Sequence, residues 1–413
     1  MGEFYNLMSF EDKLFNKEIR LLPSVTEIFE LELAYLEYLV LDKIEIIERS
    51  AFAMTYKNEY TKHFLTYSQI SEELTKSRSA QTNAYFKNGQ FSTGYATHSL
   101  FPYRGKFHPQ LIKGLINILG VKKGEIILDP MAGSGTTNIE ASLMGINSFA
   151  IDLSPFCQLM IDTKYKALNI NTEILKEINF DYDELFDYFN QKNILQKINK
   201  ISEEKREIYY LFLLAFLDAL GYSKRVVRSN HRQLFVKVLN RYRETIYNLQ
   251  GNKYFNSDKI GDLKILNNSS ALDTKLKKES IDCIITSPPY SFAIDYVEND
   301  KLQLEYLNCD TDSLKNKLIG LKGKTKKEKI EKYFDDMELF CKESSRILKE
   351  NKYLVIIIGS NTNQTGGIRL EKEVIKSAQN NDLKLVKTMI KPIKGMRNTM
   401  REEYILFFNK EEK

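Results

Sequence analysis

The chain has 413 residues, 43% hydrophobic and 28% charged, with a formal net charge of +5. That length suits one enlarged α/β domain or two to three smaller ones, with a core that needs no staples. Four cysteines and four histidines show neither metal-ligand spacing nor a disulfide framework, and the longest apolar run, 209–222, contains Asp218 and is too short to span a bilayer. The charged, mixed start of the chain does not read as a signal peptide. A cytoplasmic protein with no membrane segment and no metal is expected.

Residues 1–94 read as a helical N-terminal extension, with Val25–Arg49 at helix-like spacing and free of Pro and Gly. A loop over 88–106 and a helix over Gln110–Leu119 follow. The rhythm then changes. Glu125–Asp129 is a short apolar run closed by an acid, 130–136 a Gly-rich turn, Asn138–Met144 a helix, and Ser148–Ile151 a second apolar run closed by Asp152. Strand, turn, helix and strand in this order open a parallel α/β sheet. Residues 170–260 are helical in pattern and basic. Strand signals return at Ile281–Ile285, Tyr353–Ile358 and Tyr404–Phe408, with helices at Glu331–Leu348 and Leu370–Asn380 between them. The expectation is a doubly wound, Rossmann-like α/β fold: a cofactor-binding part over 95–169, a helical insertion over 170–260 and a catalytic part over 261–413.

In the turn Asp129-Pro130-Met131-Ala132-Gly133-Ser134-Gly135-Thr136-Thr137, Gly133 and Gly135 let the backbone approach a ligand closely. Asp152 lies 23 residues beyond Asp129, where a carboxylate accepts both hydroxyls of a ribose. A dinucleotide fingerprint wants glycine where Asn138 stands, and a P-loop wants lysine where Thr136 stands. A nucleoside cofactor without phosphates is favoured, S-adenosylmethionine, held by Asp129, Pro130, Ala132, Gly133, Ser134, Gly135, Thr136 and Asp152. Asp129 orders the loop or reaches the cofactor through water. Asn268 and Ser269, just before the catalytic strand, are expected to border the adenine ring.

The segment Ile285-Thr286-Ser287-Pro288-Pro289-Tyr290 is the most specific of the chain. Two prolines after a buried strand end the sheet and stiffen the loop. Such a loop suits a planar base with an exocyclic amino group. The amino lone pair is delocalised into the ring, and acceptors facing its hydrogens localise it. Ser287 Oγ and the Pro288 carbonyl are candidate acceptors, Pro289 holds the loop, and Tyr290 is expected to stack on a base that has left the duplex.

These segments resemble the amino-methylating DNA methyltransferases. Asp129 to Thr137 is similar to their cofactor motif, and Thr286-Ser287-Pro288-Pro289-Tyr290 to their catalytic motif in its cytosine-N4 form, the adenine-N6 form usually having Asp or Asn at position 287. Phe101-Pro102-Tyr103-Arg104-Gly105-Lys106-Phe107-His108-Pro109 resembles the segment that borders the methionine end of the cofactor, which assigns Phe107 there. The resemblance covers roughly 95–170 and 262–413 and implies methyl transfer from S-adenosylmethionine to cytosine N4 in duplex DNA with a flipped target base. It implies host marking beside a separate restriction endonuclease. Adenine N6 is the nearest alternative, then RNA guanine N2 and a non-catalytic DNA-binding subunit. Cytosine-C5 chemistry is excluded, since no cysteine follows a proline.

Two segments are basic: 191–260 with 14 Lys/Arg against 6 Asp/Glu, and 313–333 with 8 Lys against 2 Glu. Both suit a polyanion. Lys224, Arg225, Arg228, Arg232, Lys324 and Lys326 are candidates for phosphate contact. The target-recognition region is expected in the insertion, in the Lys-rich segment or in residues 1–90.

Overall fold

The computed structural model describes residues 10–67, 86–87, 90–91, 94–103, 105–178, 181–223, 230–290, 295–359, 367–393 and 402–412. Short apolar segments build its centre. They are β1 (Ile126–Asp129), β2 (Asn147–Ala150), β3 (Leu263–Ile265), β4 (Ile281–Thr286), β5 (Leu348–Gly359), β6 (Leu383–Pro392) and β7 (Glu402–Lys410). Their order across the sheet is β6-β7-β5-β4-β1-β2-β3. β1 to β5 run parallel, and β7 inserts antiparallel between β5 and β6.

Alternate residues of these strands serve two cores, as period-two alternation requires of a sheet covered on both faces. Ile127, Cys283, Ile285, Val355, Ile357 and Ile405 pack with the N-terminal region and helix α1 (Pro109–Ile118). Leu128, Ile284, Leu354, Ile356 and Leu406 pack on the opposite face, against helices Lys326–Ile347 and Leu370–Asn380. Helix α2 (Thr136–Leu143) links β1 to β2. The chain winds outward from β1 through β2 to β3, and in the other direction from β4 to β5. The loops after β1 and β4 therefore leave side by side at the point where the winding reverses, the usual position of a ligand crevice.

The N-terminal region is less uniformly helical than its periodicity indicates. Val25–Arg49 forms two helices, Ile28–Val40 and Lys43–Arg49, the second capped by the Asp42 carboxylate on the Ile44 and Glu45 N–H groups. Beside them Ile19–Leu21, Ala53–Tyr56 and Glu59–Tyr60 form a small antiparallel sheet. Strands of two to four residues carry too few alternations to be read from sequence. β3, a three-residue edge strand, escapes for the same reason.

Between helix α3 (Pro155–Lys166) and β3 the chain is helical, dominated by α4 (Glu203–Ser223) and α5 (His231–Gln250). The apolar run of α4 is a core helix: Leu211 to Leu217 are all buried, against Phe235, Leu239 and Tyr242 of α5. Among the described residues no helix is long and apolar enough to cross a membrane. A polar link fastens this helical pair to the loop before α1. Buried Asp218 accepts from Arg241 at 2.7 Å and from the Tyr242 hydroxyl at 3.1 Å. The same hydroxyl accepts the Phe101 N–H at 2.7 Å. Tyr242→Phe strands that buried N–H and removes one of the donors to the Asp218 carboxylate. It is expected to lower unfolding stability by about 1–3 kcal/mol, read as an earlier midpoint in urea.

Candidate functional site

A cavity of about 450 Å³ opens at the carboxyl ends of β1, β2 and β4, within the size range of small-molecule sites. Its floor is the turn after β1. The Ala132 N–H bonds the Ile151 carbonyl at 3.0 Å and the Gly135 N–H the Ala132 carbonyl at 2.7 Å. The turn needs positive φ at Gly133 (51°) and Gly135 (76°). A Cβ on Gly135 would lie 2.9 Å from Ile161 Cγ1. Pro130, Ala132, Gly133, Ser134 and Thr136 line the cavity. Gly135 is not on its wall and instead lets the turn close down on α3.

Asp129 lies behind this floor, buried, and also off the cavity wall. Its Oδ1 accepts the Met131 N–H at 3.2 Å and the Thr286 hydroxyl at 2.7 Å. Of the two roles expected for it, ordering the loop is the one its contacts serve. Burial pushes its pKa up to about 6. Asp152 faces the cavity. One of its oxygens accepts the Gly133 N–H and the other the Ser154 N–H, both at 2.8 Å. Burial raises this carboxyl to about 6 as well. A carboxylate has about four acceptor sites, so Asp152, on the cavity wall, keeps capacity for a ribose hydroxyl beside these bonds and the Cys157 thiol. Phe107 and Lys106 form another wall. Lys106 Nζ donates to the His98 carbonyl at 3.0 Å, and burial lowers its pKa to about 8.

From β4, Ser287 and Pro289 reach the cavity and Pro288 is buried behind them. Tyr290 departs from expectation. Its ring is not on the cavity wall but packs against the core beneath the sheet's second face. Its hydroxyl donates to Glu403 Oε1 at 2.8 Å and accepts from Ser287 Oγ at 3.4 Å. That carboxylate holds the ring away from a stacking position. Besides Phe107, the aromatic residues on the cavity are Tyr103 and Tyr296, 13° from parallel with centroids 6.5 Å apart.

Asn268 and Ser269 also miss the cavity. Asn268 turns the chain at φ 63° and the Ser269 hydroxyl bonds the Thr274 carbonyl at 2.9 Å. The next residues, Ser270, Ala271 and Leu272, form the wall instead. Arg232 is not a free cation. It pairs with Asp183 at 2.7 Å and with Asp187 at 2.5 Å, and it lies over the Phe186 ring. Lys224, Arg225 and Arg228 lie outside the described residues. Lys324 and Lys326 are exposed around the start of helix Lys326–Ile347, while Lys317 and Lys322 reach the cavity itself.

Sequence reasoning passed over Tyr103, Tyr296, Asp300 and Cys157, all on the wall. Tyr103 sits inside a segment noted for other reasons, and Tyr296 follows Tyr290 closely enough to be suspected. Among the described residues no group of three His, Cys, Asp or Glu could hold a metal ion.

The close approach at Gly135 can be separated from its φ requirement. Gly120 shares a positive φ of 65° but has open space around its Cβ position. Gly135→Ala is expected to cost about 1–3 kcal/mol more than Gly120→Ala, measured as the difference between their unfolding midpoints.

Comparison with known proteins agrees with this geometry. Residues 99–205 match the RMKL-like methyltransferase domain family, and residues 281–413 match the DNA methylase family. The chain is 24% identical over 336 residues to the type II methyltransferase M.BsoBI of Geobacillus stearothermophilus, covering 64% of each protein. It is 34% identical over 117 residues to M.MjaII of Methanocaldococcus jannaschii, covering 27% of this chain and 22% of that one. With M.MvaI of Kocuria varians it shares 22% identity over 396 residues, covering 75% and 85%. The chain thus spans less than two thirds of the length of the first two of these relatives. The part of the chain that carries the Ser287 loop is thus similar to the DNA methylases, and the relatives named here are type II methyltransferases.

Proposed function

We propose that the protein moves a methyl group from S-adenosylmethionine to an exocyclic amino nitrogen of a base in DNA, with cytosine N4 as the target. The observation that carries this reading is the Thr286–Asp129 hydrogen bond of 2.7 Å. It seats the Ser287 loop on the glycine-rich turn, so that Ser287 and Asp152 face one cavity. The donor set fits the cofactor. Asp152 suits a ribose, and the short loop residues over the floor leave room for a chain of methylene groups.

When bound, the cofactor supplies an electrophilic methyl carbon on a positively charged sulfur. Asp152 orients its sugar. Ser287 Oγ accepts from the amino hydrogens and draws the nitrogen lone pair out of the ring, while Pro288, buried behind it, has no place on the cavity wall from which its carbonyl could assist. Pro288 and Pro289 keep that acceptor stiff, so little alignment is lost to motion. Tyr103 and Tyr296 offer aromatic faces to a base that has left its helix. No covalent enzyme intermediate is required.

Charge around the cavity suits DNA. Lys317 on its wall, with Lys324 and Lys326 beyond, suits a phosphate backbone, whereas Lys322 is paired with Asp336 at 2.7 Å. The helical segment 170–260 and residues 1–90 are the other candidate places for target recognition. Host marking with a separate endonuclease fits the type II relatives. Ser287 favours cytosine, and adenine N6 is the second reading because a hydroxyl accepts from either amino group.

Digestion of methylated duplex DNA to nucleosides and mass spectrometry is expected to yield N4-methylcytosine. N6-methyladenine instead would assign the same site to the other base. No methylated base in DNA, with the cofactor bound, would overturn the reading. Asp152→Ala is expected to raise the S-adenosylmethionine dissociation constant about tenfold or more, since a charge-assisted hydrogen bond is worth about 1.5–3 kcal/mol. The ribose is accepted by the ionised carboxylate, so binding weakens as pH falls through about 6, with a limiting slope of about one decade per pH unit. Calorimetry of Asp152→Asn over the same range is expected to give a flatter profile. Lys324→Ala and Lys326→Ala are each expected to reduce the salt dependence of DNA binding by about one unit.

A further inference from the structure

A serine is an ambiguous group to place against an amino nitrogen, because its hydroxyl both donates and accepts. Only acceptance serves the chemistry proposed above. Three residues from three segments remove the ambiguity. Glu403, on β7 and 113 residues beyond Tyr290, accepts from the Tyr290 hydroxyl at 2.8 Å. The other Glu403 oxygen is paired with Lys391 on β6. A carboxylate can only accept, so Tyr290 must give it its proton. The Tyr290 oxygen is then left with lone pairs alone, and it lies 3.4 Å from Ser287 Oγ. That oxygen is an acceptor for the single Ser287 proton, and a proton given there leaves the Ser287 lone pairs for the cavity.

We propose that Glu403 is a positioning residue that acts through Tyr290 to hold the Ser287 hydroxyl as an acceptor toward the target amino group. The proposal rests on the amino-methyltransferase reading. It gives Tyr290 a task compatible with its observed place off the cavity wall. Burial and the Glu403 charge both push the Tyr290 phenol up from its ordinary value, so it stays protonated and able to donate. An acidic residue at position 287 would accept without any such support. The chain Ser287–Tyr290–Glu403 is what lets a neutral hydroxyl do the same.

The test is a double-mutant cycle in single-turnover methyl transfer, with the full chain, S-adenosylmethionine and duplex DNA. Tyr290→Phe and Glu403→Ala are each expected to slow transfer about 10- to 100-fold, the worth of a hydrogen bond to a charged group, with cofactor affinity unchanged. The double variant is expected to be no slower than the slower single, since both break one chain. Glu403→Gln keeps an acceptor oxygen and is expected to recover most of the rate, which also covers the case that Glu403→Ala fails to fold. Glu411→Ala, which removes an exposed ion pair with Lys384 in the same hairpin, is expected to leave the rate unchanged. Multiplicative losses in the double variant, or a wild-type rate in Tyr290→Phe, overturn the proposal. A wild-type protein that binds the cofactor yet methylates no DNA base overturns the underlying reading instead.

Discussion

One buried hydrogen bond, from the Thr286 hydroxyl to Asp129 at 2.7 Å, is the interaction on which the site depends. The two residues close neighbouring parallel strands, β1 and β4, where the winding of the sheet reverses. Parallel strands deliver their following loops to the same edge, but adjacency alone leaves those loops free to splay. A carboxyl buried behind both must be satisfied by its neighbours, because a desolvated acid without partners costs several kcal/mol. Asp129 meets that demand by accepting from one residue of each loop, Met131 and Thr286. Satisfying the acid and registering the loops are one event.

The glycine-rich turn is braced from beneath in a similar way. Buried Lys164 on α3 donates to the Ser134 carbonyl at 3.4 Å, and His98 meets Glu140 of α2 at 2.8 Å. Burial lowers the pKa of both Lys164 and His98. These groups do not reach the cavity. They supply polar partners where helix ends and turn carbonyls converge, and the turn is thereby held at a fixed height above the sheet. The helical pair reaches the same region through Tyr242 and Phe101. The cavity wall is thus carried on core elements, with little left to loop conformation.

How much of this was legible depended on whether local chemistry or distant contact decided each feature. The sheet strands β1, β2, β4, β5 and β7 announced themselves as apolar runs, and the turn after β1 by glycines that its positive φ values require. β6 was missed because a register shift between Leu385 and Lys387 breaks its alternation and leaves Val386 to Thr388 all exposed, so neither an apolar run nor a clean period of two marks it. Side-chain direction was hidden altogether. Tyr290 carries a motif position, yet a glutamate on a strand more than a hundred residues later decides where it points. Arg232 belongs to a basic segment by count, and Asp183 and Asp187, packed across from it, cancel its charge. The wall at Ser270–Leu272 lay just past the expected Asn268 and Ser269, a shift set by one left-handed residue.

The crossover from β2 to β3 takes in more than a hundred residues and two long helices, yet the sheet accepts it without displacing a strand. Chain closure explains why. The entropy lost on joining two fixed ends grows only with the logarithm of the length between them, about 0.6 kcal/mol for each doubling. Because β3 is the outermost strand on its side, nothing that lengthens this crossover must pass through the centre of the sheet. The segment is therefore a position where length can change at little entropic cost, while the Tyr242–Phe101 contact ties its two long helices to the loop that brings Tyr103 and Phe107 to the cavity.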